Sequence, residues 1–242
     1  MKLEGRTAIV TGAGHRVGRA LAVALSREKM TVAVHYNSSA SAADETVSII
    51  EKAGGNATTF CADLTDGDAP QQLVRAVVKQ LGPVHVLVNS AAVMKRQPFG
   101  TVTAQDWAQT MALNLRAPFL LSQAAVTEMT DGGAIVNIAD LAAYETWPSY
   151  IPHSISKAGI IKMTEGLARV LAPSIRVNAI APGAVLLPDD WGEQTGERMA
   201  DTTPLRRLGD PQDVVDAMLY LLQSDYVTGE TIVVDGGRRI RK

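Results

Sequence analysis

The chain has 242 residues, with 23 Lys and Arg against 25 Asp and Glu, a formal net charge of −2, and 46% hydrophobic against 20% charged residues. That balance excludes a disordered chain, and without a basic excess to neutralise phosphates it excludes a general nucleic-acid binder. The single cysteine, Cys61, excludes an intrachain disulfide and a thiolate metal cluster.

The start, Met1-Lys2-Leu3-Glu4-Gly5-Arg6, is charged and leads straight into a short apolar run. It has no signal-peptide core and no span of about 20 apolar residues, so the expectation is a cytoplasmic protein without a membrane partner. Thr7–Val10 reads as a first strand, followed by a helical stretch over Gly18–Glu28. Thr31–His35 is a second strand before a helix at Ala42–Ala53, and Ala57–Cys61 a third before Pro70–Gln80. Val84–Val88 is a fourth strand, followed by one long helix over Ala104–Met129, then a fifth strand at Ala134–Ile138 and a helix at Pro152–Leu171. Ile175–Ile180, a helix at Pro211–Leu222 and Thr231–Val234 complete the series. Most strands are apolar without strict alternation, the pattern of strands buried on both faces of a parallel sheet. Crossovers of helical length then place helices on both faces, which gives one doubly wound α/β domain over residues 1–242 with a seven-stranded parallel sheet. The longest irregular piece runs from Ala181 to about Pro204 and is read as a functional or mobile loop.

Between the first strand and first helix lies Thr11-Gly12-Ala13-Gly14-His15-Arg16-Val17-Gly18. Glycines there permit a sharp turn and close approach of backbone N–H groups to a pyrophosphate at a helix N-terminus. The second strand ends in His35-Tyr36-Asn37-Ser38-Ser39, where a site for NAD places an acid on the ribose 2′-hydroxyl. No acid stands there, and Arg16, His35, Asn37, Ser38 and Ser39 offer donors suited to a 2′-phosphate, so NADPH (or NADP) is the expected cofactor. His15 either touches phosphate or faces solvent. No set of His, Asp and Glu has metal-ligand spacing, so no metal is expected.

The glycine turn, Asn89-Ser90-Ala91-Ala92, Ser156-Lys157-Ala158-Gly159, Arg176-Val177-Asn178-Ala179-Ile180-Ala181-Pro182-Gly183 and the ending Val227-Thr228-Gly229-Glu230 with Val234-Asp235-Gly236-Gly237 together resemble the short-chain dehydrogenase/reductase family, a Rossmann-type fold. Arg16, the stretch His35–Ser39 and Asp140 are similar to its pteridine-reductase branch. The resemblance implies that Gly12, Arg16, Val17 and Gly18 line the pyrophosphate. His35, Tyr36, Asn37 and Ser38 are then at the 2′-phosphate end, and Asp63 and Leu64 at the adenine. Asn89, Ser90, Ala91 and Lys157 fall to the nicotinamide ribose, Pro182 and Gly183 to the nicotinamide. Asn114 completes a proton relay, and Arg16, Met94, Asp140 and Trp191 face substrate. Met94 stands where the branch stacks an aromatic on its pterin. The family also implies a homotetramer paired through the helices near 104–129 and 152–171.

One residue departs from the family pattern of Tyr-x-x-x-Lys. The position four before Lys157 is His153, and the family's serine, thirteen residues further back, is Asp140. Reduction of C=O or C=N needs a proton besides hydride, and an imidazolium, with an ordinary pKa of about 6.5, is a good acid where neutral imidazole is a poor one. Imidazole is also about 2 Å shorter than a phenol, a gap a water bridges. Three readings stand: His153 is the acid, with Asp140 and Lys157; Asp140 or a water relay donates while His153 shapes the pocket; or the chain binds NADPH in a binding or regulatory role with little turnover. Tyr144, Trp147, Leu186, Leu187 and Trp191 are candidates for an apolar substrate wall, with ordinary packing as the alternative for each.

Overall fold

The computed structural model describes residues 1–185 and 193–240. Seven parallel strands form one sheet, as the sequence pattern predicts; the structure gives their order as β3-β2-β1-β4-β5-β6-β7. They are β1 (Thr7–Val10), β2 (Thr31–Tyr36), β3 (Asn56–Cys61), β4 (Val84–Asn89), β5 (Gly133–Ile138), β6 (Ile175–Pro182) and β7 (Thr231–Val234).

Alternate side chains of the central strands feed two cores. Ala8, Val10, Val86, Val88 and Val136 pack with Leu21 and Leu25 of α1 (Arg16–Arg27) and Met218 and Leu221 of α8 (Pro211–Gln223). Ile9, Leu87 and Ile135 point the other way, onto Leu73 and Val77 of α3 (Ala69–Leu81) and Leu121 and Ala125 of α5 (Ala117–Val126). This period of two with apolar residues in both phases is why the strands read as unbroken apolar runs. Each fully buried Leu or Ile among them contributes roughly 1.5–3 kcal/mol. The helices α2 (Ala40–Lys52) and α6 (Ile151–Leu171) complete the two layers.

The structure corrects two expectations about elements. The helix predicted over Ala104–Met129 is interrupted: α4 (Ala104–Met111) and α5 flank a π-helical turn, Ala112–Arg116. Pro118 supplies a reason, since it has no N–H for the carbonyl four residues back, that of Asn114, and its ring crowds it. The stretch predicted as irregular from Ala181 to about Pro204 begins inside β6 and carries a helix, α7 (Glu193–Asp201). Leu186, Leu187 and Trp191 lie outside the described residues.

The helix starts are locally encoded. Thr103 and Asp106 form a reciprocal capping box at α4, and Asp210 and Asp213 do so at α8, where Pro211 occupies a position that needs no N–H. Crossovers from β1 and β4 run to opposite faces of the sheet, so a crevice opens between their carboxyl ends. Both loops that carry the candidate residues lead into it.

Candidate functional site

The glycine turn leaves β1 at Thr11. Gly12 has φ +64°, and a Cβ there would lie 3.0 Å from the Ala91 Cα on the loop after β4, so glycine permits both the turn and the close approach of the two loops. Thr11 ties those loops together: its Oγ1 accepts from the N–H groups of Ser90 (2.9 Å) and Ala91 (3.0 Å). Arg16 opens α1 at φ +52°, a left-handed conformation that costs a non-glycine residue on the order of 1–3 kcal/mol and is typical of functional sites. His15, the residue before α1, makes no side-chain cap, and the first turn carries no acid. The helix therefore presents N–H groups and a basic residue, a donor set that fits an anion such as a pyrophosphate.

A cavity of about 460 Å³ runs from this turn, past Ser90, Ala91 and Met94, to Asp140, His153 and Lys157. His15, Arg16, Val17, Gly18, Asn37 and Leu64 also border it. The crevice thus joins the expected phosphate end to the expected reaction centre.

At the far end, Asp140 follows β5, while His153 and Lys157 lie one turn apart on α6. His153 Nε2 is 2.6 Å from Asp140 Oδ2, and Asp140 Oδ1 accepts from the Ala142 N–H at 2.9 Å. The other ring nitrogen, Nδ1, is 3.1 Å from the Val93 carbonyl oxygen. Asn114, in the π-helical turn, holds Val93 from both sides: its Oδ1 accepts from the Val93 N–H (2.8 Å) and its Nδ2 donates to the Val93 carbonyl (2.9 Å). Nδ2 also reaches the Ser156 Oγ at 3.1 Å, so both its protons have acceptors closer than the His153 Nδ1 at 3.3 Å.

Proton counting follows. With Asn114 spoken for, Nδ1 of His153 donates to the Val93 carbonyl. Nε2 faces a carboxylate, so one proton lies in that short contact as well. Burial acts to raise the Asp140 carboxyl, but the His153 hydrogen bond, the charges of Lys157 and His153 and the Ala142 N–H together hold it below the usual carboxylate range. That direction, with the 2.6 Å contact, leaves the carboxylate as the acceptor and Nε2 as the donor between the two side chains. Lys157 donates to the Ile138 carbonyl at 2.8 Å. Burial pushes its ammonium below the usual lysine range, and the Asp140 carboxylate draws it part of the way back.

Several expected ligand contacts are replaced by internal ones. His35 is buried, its Nδ1 accepts from the Gly12 N–H (3.1 Å) and its Nε2 faces the Ala62 carbonyl (3.0 Å), so neither nitrogen is left to donate to a phosphate. Tyr36 packs against the core, and exposed Ser38 stands apart from the cavity walls. The Asp63 carboxylate closes a turn by accepting from the Thr65 N–H and hydroxyl at 2.9 and 2.7 Å. The Asn89 amide is buried beneath the site, donating to Asn137 Oδ1 at 2.8 Å. Pro182 ends β6 and the Gly183 N–H bonds the Val234 carbonyl; neither borders the cavity, although both stand at the carboxyl end of the sheet. Tyr144 lies under the Arg239 guanidinium and Trp147 edge-on to Tyr150, also away from the cavity walls. Sequence reasoning missed Thr11, whose signal is a hydroxyl at the end of an apolar strand. It also missed the Val93 main chain, which has no side-chain signature, and Ser156, which donates to the His153 carbonyl at 2.6 Å.

A protein-family model described as enoyl-(acyl carrier protein) reductase matches residues 12–239. Glucose 1-dehydrogenase 2 of Bacillus subtilis (strain 168) is 35% identical, over 97% of this chain and 95% of its own length. The crystal structure of a blue fluorescent protein from a metagenomic library, in complex with NADPH, is 36% identical, with a TM-score of 0.91 over 98% of this chain and 99% of that one. The angucycline C-6 ketoreductase LanV, solved with bound NADP, is 31% identical, with a TM-score of 0.92 over 99% of this chain and 97% of that one. Together with the parallel seven-stranded sheet and the glycine turn at its switch point, these likenesses make the chain a member of the short-chain dehydrogenase/reductase family of oxidoreductases.

Proposed function

We propose that the chain binds NADPH in the crevice and reduces a small carbonyl or imine with protons supplied by the Asp140–His153 pair. The observation that carries this reading is the 2.6 Å contact between His153 Nε2 and Asp140 Oδ2 on the wall of the crevice, one helical turn from Lys157. When bound, the dinucleotide supplies hydride to the substrate carbon. The α1 N-terminus and Arg16 hold its phosphates, and Asn37, on the crevice wall, is a donor for a 2′-phosphate. Asp140 reaches solvent more than His153, with side-chain exposures of 21% and 4%. It is therefore the member of the pair that meets substrate. As negative charge builds on the substrate oxygen or nitrogen, the Nε2 proton crosses to the Asp140 carboxylate and on to that atom, leaving neutral His153 still donating through Nδ1 to Val93. The buried Lys157 charge stabilises the carboxylate between turnovers. This division of labour joins the first two sequence readings and removes the reach problem, because the carboxylate spans the gap the shorter ring leaves. Asp140 and Arg16 keep the pteridine-reductase pattern, and Met94, on the crevice wall, makes a softer contact than a stacked ring. LanV is named for keto reduction, which supports the carbonyl class.

NADPH oxidation is the direct test, measured on a panel of small ketones, aldehydes, imines and a dihydropterin. His153→Ala is expected to lower kcat at least about tenfold. An unchanged His153→Ala rate removes the proton-donor role. Tight NADPH binding with no turnover on the whole panel favours the binding or regulatory reading instead, which the internal partners of both ring nitrogens support. NADH binding as tightly as NADPH removes the 2′-phosphate assignment.

The same proposal includes pairing of copies through α4, α5 and α6. Trp107 and Phe119 are 42% and 46% exposed beside an apolar groove of about 810 Å³ that includes Gly159. A second copy of the chain is the occupant that the family resemblance implies, with a homotetramer as the full assembly. Phe119→Glu is expected to shift the sedimentation coefficient to that of a smaller species; an unchanged value rejects this face as the contact.

A further inference from the structure

We infer that His35 is a positioning residue for the glycine turn: held as the neutral Nε2–H tautomer, it fixes the Gly12 N–H and so makes dinucleotide affinity depend on pH. The inference rests on the reading of the turn as a dinucleotide site.

The geometry assigns the tautomer. Nε2 faces a carbonyl oxygen, that of Ala62, and must carry a proton; Nδ1 receives the Gly12 N–H and must not. The main chain repeats the link one residue on, where the Ala13 N–H donates to the His35 carbonyl at 2.9 Å. The ring is thus a brace from the carboxyl end of β3, through β2, to the first glycine of the turn. It reaches that glycine where φ is +64° and a Cβ would lie 3.0 Å from Ala91 on the loop after β4.

Protonating Nδ1 sets an N–H against the Gly12 N–H in a buried place. One of the two must move, and the Gly12 N–H loses its acceptor. The titratable groups on the surrounding elements are His15 and Arg16 in the turn, Tyr36 beside it, Asp44 on α2, and Cys61 and Asp63 at the end of β3. Burial lowers the ring's pKa and the Ala62 hydrogen bond partly restores it. The sign follows. The neutral ring, and with it the ordered turn, persists through neutral pH, and binding weakens as pH falls below the ordinary histidine range of about 6.5.

The experiment is titration of NADPH into wild type, His35→Asn and His35→Leu from pH 8 to pH 5, with folding followed by circular dichroism. An Asn oxygen stands one bond from Cγ, as Nδ1 does, and accepts the Gly12 N–H without titrating. His35→Asn is expected to bind within about threefold of wild type at pH 8 and to lose the ring's share of the acid weakening. Weakening from the 2′-phosphate itself is common to both proteins and cancels. His35→Leu is expected to bind about tenfold more weakly at every pH, since it strands a buried N–H. Leucine binding like wild type, or asparagine keeping the full acid weakening, overturns the inference. Nitrogen NMR of the ligand-free protein gives a second readout: an unprotonated His35 Nδ1 at pH 7, and a Gly12 amide that shifts in step with the ring. A Gly12 amide that ignores the ring's titration also overturns it. Wild type that fails to bind NADPH at any pH sinks the dinucleotide reading and the pH-dependent affinity with it; the Gly12 amide then still decides whether His35 holds the turn.

Discussion

Asp140→Asn is expected to lower kcat at least about a hundredfold while NADPH binds within about threefold of wild type. The substitution keeps the size of the side chain and one oxygen for the Ala142 N–H, which Asp140 now binds at 2.9 Å. It removes the charge that pairs with His153. One amide oxygen replaces the two carboxylate oxygens that separately meet the Ala142 N–H and the His153 Nε2–H, and an amide cannot take up a proton and pass it on. The ring also loses its carboxylate acceptor, so both halves of the proton delivery fail together. Because the carboxylate stands at the opposite end of the crevice from the phosphate turn, binding is spared. Steady-state NADPH oxidation and a fluorescence titration read the two effects separately. A variant with wild-type kcat shows that Asp140 takes no part in the proton transfer; one that loses binding instead shows that it shapes the cofactor site.

Gly18→Ala is expected to weaken NADPH binding at least about thirtyfold, and to lower Tm by several degrees. A Cβ at position 18 would lie 2.2 Å from the Gly12 carbonyl oxygen and 2.9 Å from its carbon. These are main-chain atoms of the turn, so no side chain can swing away to make room. Relief comes from opening the turn, which moves the Gly12 N–H off His35 and the α1 N–H groups off their common focus. Overpacking of this kind costs about 1–3 kcal/mol, which corresponds to about 2–12 °C in Tm for a chain of this size. Differential scanning calorimetry and isothermal titration check the two parts. Wild-type affinity in this variant rules the turn out as the phosphate cradle.

Much of the fold is legible in the sequence. The all-apolar runs Ala8–Val10 and Val86–Val88 announce strands buried on both faces, and the glycine turn between β1 and α1 announces a switch-point crevice. The π-helical turn was not read, although Pro118 marks the place, because a proline near a helix start is ordinarily tolerated. The helix Glu193–Asp201 was missed because the flanking prolines and glycines dominate the local pattern.

The candidate site divides the same way. The glycine turn was legible from residue type and spacing, and the family resemblance was enough to bring Asp140, His153 and Lys157 to the same crevice, since each stands at a strand end or on a helix face whose position the parallel sheet dictates. Local pattern could not say which atom of a polar side chain meets which partner. His35 looks like a phosphate donor in the chain but is a neutral brace for Gly12, and Asn89 looks like a ribose ligand but lies beneath the floor. The Val93 carbonyl, which orients His153, has no signature in the alphabet of side chains at all. Hydrogen bonding is directional and acts over about 3 Å, so these assignments arise only once separate loops converge in space.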